Sequence, residues 1–233
     1  MHVLKIANKY GRGFALKNRI LSSQRILEKN FPINQNFSFI QIGANDGKSF
    51  DFLFDFVTSR QSTGIVVEPV KGYYNELVLN YKAFPGIIKI NKAVHSHEKL
   101  ISIHKIRESK RYKYPEWIKG IASFDRNHHK KTNILTEDME VETVCADTLM
   151  NLLSFYPSKK IHYLQIDTEG YDLEILKMVD FKILRPLLIK FEHVNLKRAD
   201  RVISRKLLSD EGYSVFKEGS DTLGLDLHRI KLI

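Results

Sequence analysis

Residues 39–54 read FIQIGANDGKSFDFLF: an apolar run, a turn holding two glycines, an asparagine and an aspartate, then a second apolar run. A bare connection needs fewer polar groups than this. In an open parallel sheet, ligands bind beyond the carboxyl ends of the strands. Gly43 and Gly47 fall at that position if residues 37–42, FSFIQI, form a strand. Glycine lets backbone approach a ligand closely, and a helix that follows aims its first N–H groups the same way. A tight structural connection would use the same glycines, so the turn is read with the rest of the chain.

Outward from this stretch, short β-rich runs alternate with helical segments. TGIVVEP (63–69) precedes KGYYNELVLNYK (71–82), where Tyr73, Leu77 and Asn80 or Tyr81 share a helical face. GIIKINKAV (86–94) follows. IHYLQID (161–167) precedes GYDLEILKMVDF (170–181), and PLLIKFEHV (186–194) precedes RADRVISRKLLSDEG (198–212). Near-continuous apolar strands alternating with amphipathic helices predict an α/β fold, a mostly parallel sheet with helices on both faces. The last two strands, YSVFKEG and TLGLDLHRIKLI, are separated by a short Gly/Ser/Asp loop, which connects only an antiparallel pair. Residues 95–160 hold no comparable strand pattern and are expected to be a long irregular region of functional use.

The chain has 233 residues, enough for one such domain with a substantial core. With 43% hydrophobic and 27% charged residues it is globular in composition. No apolar run approaches the roughly 18 residues that span a bilayer. The first residues, MHVLKIANKYGRGF, contain no apolar stretch of the secretory-signal kind. Cys145 is the only cysteine, so no internal disulfide forms, and the expected location is the cytoplasm, with or without attachment to a membrane surface.

The net charge of +10 is unevenly spread. Residues 99–131 hold ten Lys/Arg against three Asp/Glu, and residues 1–30 seven against one. Residues 1–30 read as basic amphipathic helices broken near Gly11-Arg12-Gly13, with Leu16, Ile20, Leu21, Ile26 and Leu27 as the apolar stripe. Such segments attract phosphate-bearing partners, among them nucleic acid, anionic lipid and nucleotide-linked substrates, or they are simply solvated surface.

The dinucleotide fingerprint G-x-G-x-x-G, laid on Gly43, needs glycine where Asn45 and Lys48 stand, and Asp46 would repel a pyrophosphate. Glu68 closes the next strand 21 residues after Gly47, where a carboxylate accepts hydrogen bonds from ribose hydroxyls. A glycine turn, no phosphate logic and a ribose carboxylate together point to S-adenosylmethionine.

The blocks FIQIGANDG, GIVVEP, INKAV, VETVCADTL, HYLQIDTEGYDLEIL and RPLLIKFEHV, in order and spacing, resemble those of the FkbM-type S-adenosylmethionine-dependent methyltransferases. QIDTEGYDLEILK, similar to that family's KIDVEGAE stretch, is the most specific of them. The resemblance covers roughly residues 38–195. It implies a class I methyltransferase (Rossmann-like) fold: a seven-stranded, mostly parallel sheet with the last strand antiparallel. Residues 37–233 would be the methyltransferase domain, carrying a basic insertion at about 95–145 and preceded by a basic helical extension at 1–36. It further implies O-methyl transfer, often to sugars of glycans or natural products.

By position, the resemblance carries cofactor contacts onto Gly43, Ala44 and Asn45 in the turn, Asp46 and Gly47 near the methionine head, Glu68 at the ribose, and Ala93 and Val94 near adenine. Simple packing would equally explain the last two. Asp167 and Glu169 follow the fourth strand, where this fold presents acceptor-site residues, with Asp167 also counted against the cofactor. Glu192 and His193 end the fifth. An alcohol needs a base within hydrogen-bond reach, worth about 10²–10⁴-fold. His193 has the best-suited intrinsic pKa, with Glu169 and Asp167 as rivals. Asp167 as a helix cap and Glu192 in an ion pair are the structural alternatives. The same four residues suit Mg²⁺ chemically, but their spacing does not require a metal. His128 and His129 are adjacent and point apart, which excludes a joint metal site. Ser123, Phe124 and His128 are expected in a mobile lid.

The expected partner is a glycan or small-molecule acceptor, phosphate-bearing or not, with peripheral contact to anionic membrane and self-association both allowed and no DNA. RNA methylation and a non-catalytic scaffold are the alternatives. Against the first, QIDTEG stands where an Asn-Pro-Pro-Tyr amine-site motif would be.

Overall fold

The computed structural model describes residues 22–33, 35–50, 52–60, 62–156 and 160–232. Most of the expected basic helical stripe, including Leu16, Ile20 and Leu21, lies outside them.

Seven strands form the main sheet: β1 (Ser38–Ile42), β2 (Thr63–Val67), β3 (Ile87–Ile90), β8 (Tyr163–Ile166), β9 (Leu188–Glu192), β10 (Ser214–Glu218) and β11 (Asp221–Leu225). Their order is β3-β2-β1-β8-β9-β11-β10. β11 runs antiparallel to both neighbours, and the other pairings are parallel. Side chains alternate across a strand, and here both sets are apolar. Phe39, Val66, Tyr163 and Leu188 enter one core, while Ile40, Ile65, Leu164 and Ile189 enter the other. That is why these strands read as continuous apolar runs. Each such side chain, fully buried, contributes about 1.5–3 kcal/mol.

The first face is covered by α1 (Ser23–Asn30), α2 (Leu53–Thr58) and α3 (Lys71–Asn80), through Ile26, Leu27, Phe56, Val57 and Leu77. α4 (Leu149–Leu153), α5 (Asp172–Lys177) and α6 (Arg198–Asp210) cover the second, through Leu149, Leu152, Ile175, Leu176 and Leu208. The Thr148 hydroxyl caps α4 by accepting from Asn151 N at 3.3 Å. Ile26 and Leu27 are fully buried, so α1 is part of the main core.

Residues 95–160 are not irregular. They contribute to a second sheet of order β4-β7-β5-β6, made of β4 (Ala93–Val94), β5 (Leu100–Ile106), β6 (Ala122–Ser123) and β7 (Met139–Asp147). β5 and β7 pair antiparallel from Leu100↔Cys145 to Ile106↔Met139. Only part of each strand is apolar. Ile103, Val144 and Ala146 pack inward, while Lys105 lies against Glu140 (2.9 Å) and Glu142 (3.2 Å). A search for continuous apolar runs passes over such strands. Among the described residues no helix is long and apolar enough to cross a membrane.

Candidate active site

A cleft of about 330 Å³ opens at the carboxyl ends of β1, β2, β8 and β9, with the second sheet as its outer wall. Gly43, Ala44, Asn45, Glu68, Ala93, Val94, Asp167, Glu169 and Glu192 all line it.

Gly43 sits at φ +75°, and a Cβ there would meet the carbonyl oxygen of Asp167 at 1.7 Å. Only glycine fits between the two strand ends. The turn's donors are all engaged inside the protein. Gly43 N and Ala44 N donate to Val67 O, Asn45 N to Glu68 Oε2, Asp46 N to Asn45 Oδ1, and Gly47 N to Ala44 O. Lys48 N and Ser49 N both donate to Asp46 Oδ1. No N–H is left for a pyrophosphate, contrary to the expectation that the turn would aim donors at its ligand.

Asp46 and Gly47 depart from their expected place near the methionine head, because neither lines the cleft. The Asp46 carboxylate is buried against its own turn, and the Ser49 hydroxyl also donates to it at 2.6 Å. Gly47 packs beneath Tyr81, whose ring would lie 2.6 Å from an added Cβ.

Glu68 is buried and accepts from Asn45 N and Val70 N, both at 2.8 Å. Burial pushes its pKa up to about 7, against those two hydrogen bonds. A carboxylate has about four acceptor positions, so two remain for a ribose edge.

At the other residues of the cleft, one oxygen each from Asp167, Glu169 and Glu192 come within 4.8 Å of one another. Glu169 is a non-glycine residue at φ +54°, and three contacts hold it there. Its Oε2 accepts from Asn195 Nδ2 (2.6 Å) and lies 2.9 Å from His128 Nε2, while its carbonyl accepts from the Ser123 hydroxyl (3.1 Å). Asn195 also donates to Glu192 Oε2 at 2.8 Å. Burial, then the Glu169 charge, pushes Glu192 up to about 7. Enclosure by the walls, then Glu192 and Glu169, raises Asp167 well above 3.8, although its carboxylate faces the cleft solvent.

His193 does not reach the cleft. Glu192 faces it, so the next side chain turns away. His193 Nδ1 lies 3.1 Å from the Thr222 hydroxyl, and burial followed by Lys217 and Arg201 lowers its pKa. Ser123 and His128 anchor the second sheet to Glu169, and Phe124 packs edge-on against Tyr171 at 5.0 Å. These residues form a docked wall instead of a loose lid. His129 pairs elsewhere, with Thr136 at 3.0 Å.

Sequence reasoning missed Gln41, Gln165, Lys190, Asn195 and Trp117. A glutamine inside each of two apolar strands, paired in register, was the available signal for the first two. Asn195, Lys190 and Trp117 had none.

The strand order, the antiparallel β11 and a cleft at the strand ends define a class I methyltransferase fold. The methyltransferase FkbM domain matches residues 41–215, and the chain belongs to that S-adenosylmethionine-dependent methyltransferase family. No curated protein matches the sequence significantly. Among solved structures it is similar to the methyltransferase FkbM of Methylobacillus flagellatus KT, at 12% identity and TM-score 0.48, over 81% of this chain and 43% of that one. It is similar to precorrin-6y C5,15-methyltransferase of Geobacter metallireducens GS-15, at 11% and 0.44, over 88% of each chain. The N-terminal domain of human METTL16 gives 13% and 0.44, over 86% and 64%. At these values the likenesses add nothing to what the strand order defines.

Proposed function

We propose that this protein methylates a hydroxyl group, in a sugar of a glycan or glycan precursor. The observation that carries the reading is the carboxylate trio in the cleft, Asp167, Glu169 and Glu192. Carboxylates this close do not all ionise at neutral pH, and a group titrating near 7 is well matched to accept a hydroxyl proton. Glu192 would take that proton as the oxygen reacts, with Asn195 fixing both glutamates and Glu169 orienting the acceptor. S-adenosylmethionine, when bound, supplies an electrophilic methyl on a sulfonium. Gly43, Ala44, Asn45, Glu68, Ala93 and Val94 would hold it, and the exhausted donors of the turn suit a ligand without phosphate.

The acidic lining favours a neutral, hydroxyl-rich acceptor over a phosphodiester chain. Much of the basic segment is paired within the fold: Lys99 with Asp147, Arg111 with Glu108, Lys113 with Asp138. Arg126 and Lys130 make no ion pair among the described residues and are the positions to meet a phosphate on a linked precursor. The trio also has the composition of a Mg²⁺ site. The proton role is preferred because Asn195 and His128 already occupy Glu169 Oε2, and transfer is expected to survive EDTA.

Calorimetric titration with S-adenosylmethionine tests the cofactor. Micromolar binding is expected, weakened at least about tenfold in Glu68→Ala, with none for NAD⁺. A folded wild-type sample that does not bind would sink the reading. Transfer to the acceptor should rise with pH through about 7, and Glu192→Gln should remove that rise.

A further inference from the structure

Two large apolar rings stand half exposed at this one cleft, contributed by different parts of the chain. Trp117, the chain's only tryptophan, lies on the short helical segment Glu116–Gly120 and is 52% exposed. Its neighbours Ile118 and Ile121 are buried in a small core with Ile106 and Ile134, so the segment is anchored and the indole is turned outward by design of the fold. Phe50, in the turn after β1, is 56% exposed and sits at φ +74°. A bulky residue rarely adopts that conformation, which costs about 1–2 kcal/mol. Both rings line the cleft. Among the described residues neither stacks on another ring or beneath a cation, unlike Phe124 on Tyr171 or Arg111 over Tyr73. Exposed apolar surface beside a polar pocket marks a binding position.

The platform also adjoins the carboxylates. A Cβ on Gly120, which ends the Trp117 segment, would lie 4.0 Å from Glu169 Oε1, the oxygen not held by Asn195 and His128. A ring lying on the indole therefore presents its edge to Glu169.

We infer that Trp117, with Phe50 at the cleft mouth, is the stacking platform for the acceptor's sugar ring and determines which ring is accepted. A pyranose has an apolar C–H face for the indole and a rim of hydroxyls that donate to carboxylates. A nucleobase could stack equally well, but its phosphates would meet Asp167, Glu169, Glu192 and Asp221, with Lys190 already paired to Asp221 at 3.0 Å. This inference rests on the hydroxyl-methylation reading above and assigns the surface that selects the acceptor.

The single tryptophan makes a direct test. The full chain, saturated with S-adenosylhomocysteine, is titrated with methyl pyranosides of gluco, manno, galacto and rhamno configuration while its fluorescence is followed. A saturable blue shift with at least one pyranoside, and none with oligouridylate, is expected. Calorimetry should then show that Trp117→Ala weakens that pyranoside about tenfold, Trp117→Phe less, with S-adenosylhomocysteine affinity kept within about twofold. Equal pyranoside binding by Trp117→Ala overturns the inference, as does silence of the wild type toward every pyranoside while it still binds S-adenosylhomocysteine. A shift with oligouridylate instead would hand the platform to a nucleobase. Failure to bind S-adenosylhomocysteine breaks the methyltransfer reading itself, and is separately visible.

Discussion

The two sheets of this protein are held together by opposite means. In the main sheet β1 and β8 are buried at every residue, and two apolar cores sandwich them. In the second sheet β5 and β7 alternate between buried and exposed positions, and charged pairs lie across the strands. Their carboxylates differ accordingly. Burial pushes Glu68 and Glu192 up to about 7 and Asp172 up to about 8. In the second sheet and its loops, hydrogen bonds hold carboxylates down, from Tyr114 and Lys113 to Asp138 and from Asn151 and Lys92 to Asp147. The first sheet provides a rigid, dry platform for the cofactor. The second provides the acceptor wall and reaches across to fix Glu169.

This contrast breaks most sharply at Gly43. Gly43→Ala places a methyl against the Asp167 backbone in a left-handed conformation, and should destabilise by roughly 3 kcal/mol or more while abolishing cofactor binding. Urea unfolding and calorimetry check both. If Gly43→Ala retained micromolar affinity, the close strand-end approach would be immaterial.

A change in the second sheet should act differently. His128→Ala frees one side of Glu169 and is expected to slow transfer about 10²-fold, with S-adenosylmethionine affinity unchanged within about twofold. Equal losses in both would mean that the wall supports the whole cleft and not the acceptor side alone.

The pH dependence of stability sharpens the comparison further. Folded Asp172 keeps its proton above the ordinary 3.8, so the folded state binds more protons and its contribution is lost as pH rises toward about 8. Asp138 and Asp147 are depressed, so theirs is present above 3.8 and lost on acidification. Asp172→Asn should therefore remove a slope of about 1.4 kcal/mol per pH unit between those limits. Urea midpoints from pH 5 to 8 measure it, and an unchanged slope would show that Asp172 is ionised in the folded protein.

Local patterns in the sequence determined the main sheet, the glycine turn and Glu68, because apolar runs, a glycine pair and a carboxylate at a strand end leave their mark within a few residues. The antiparallel closing pair was legible from the length of its loop. Tertiary structure alone decided the rest. The strands of the second sheet hide among charges that only cross-strand partners neutralise. Asp46 looks like a ligand group, yet the backbone N–H groups of its own turn consume it. Strand alternation sends Glu192 into the cleft and His193 away, a choice of phase that depends on where the pleat falls. The junction of Ser123, His128, Glu169 and Asn195 joins three distant segments, and contacts of that kind have no periodicity to read. Sequence records what neighbours along the chain require, whereas the acceptor side of this cleft is made by residues that become neighbours only on folding.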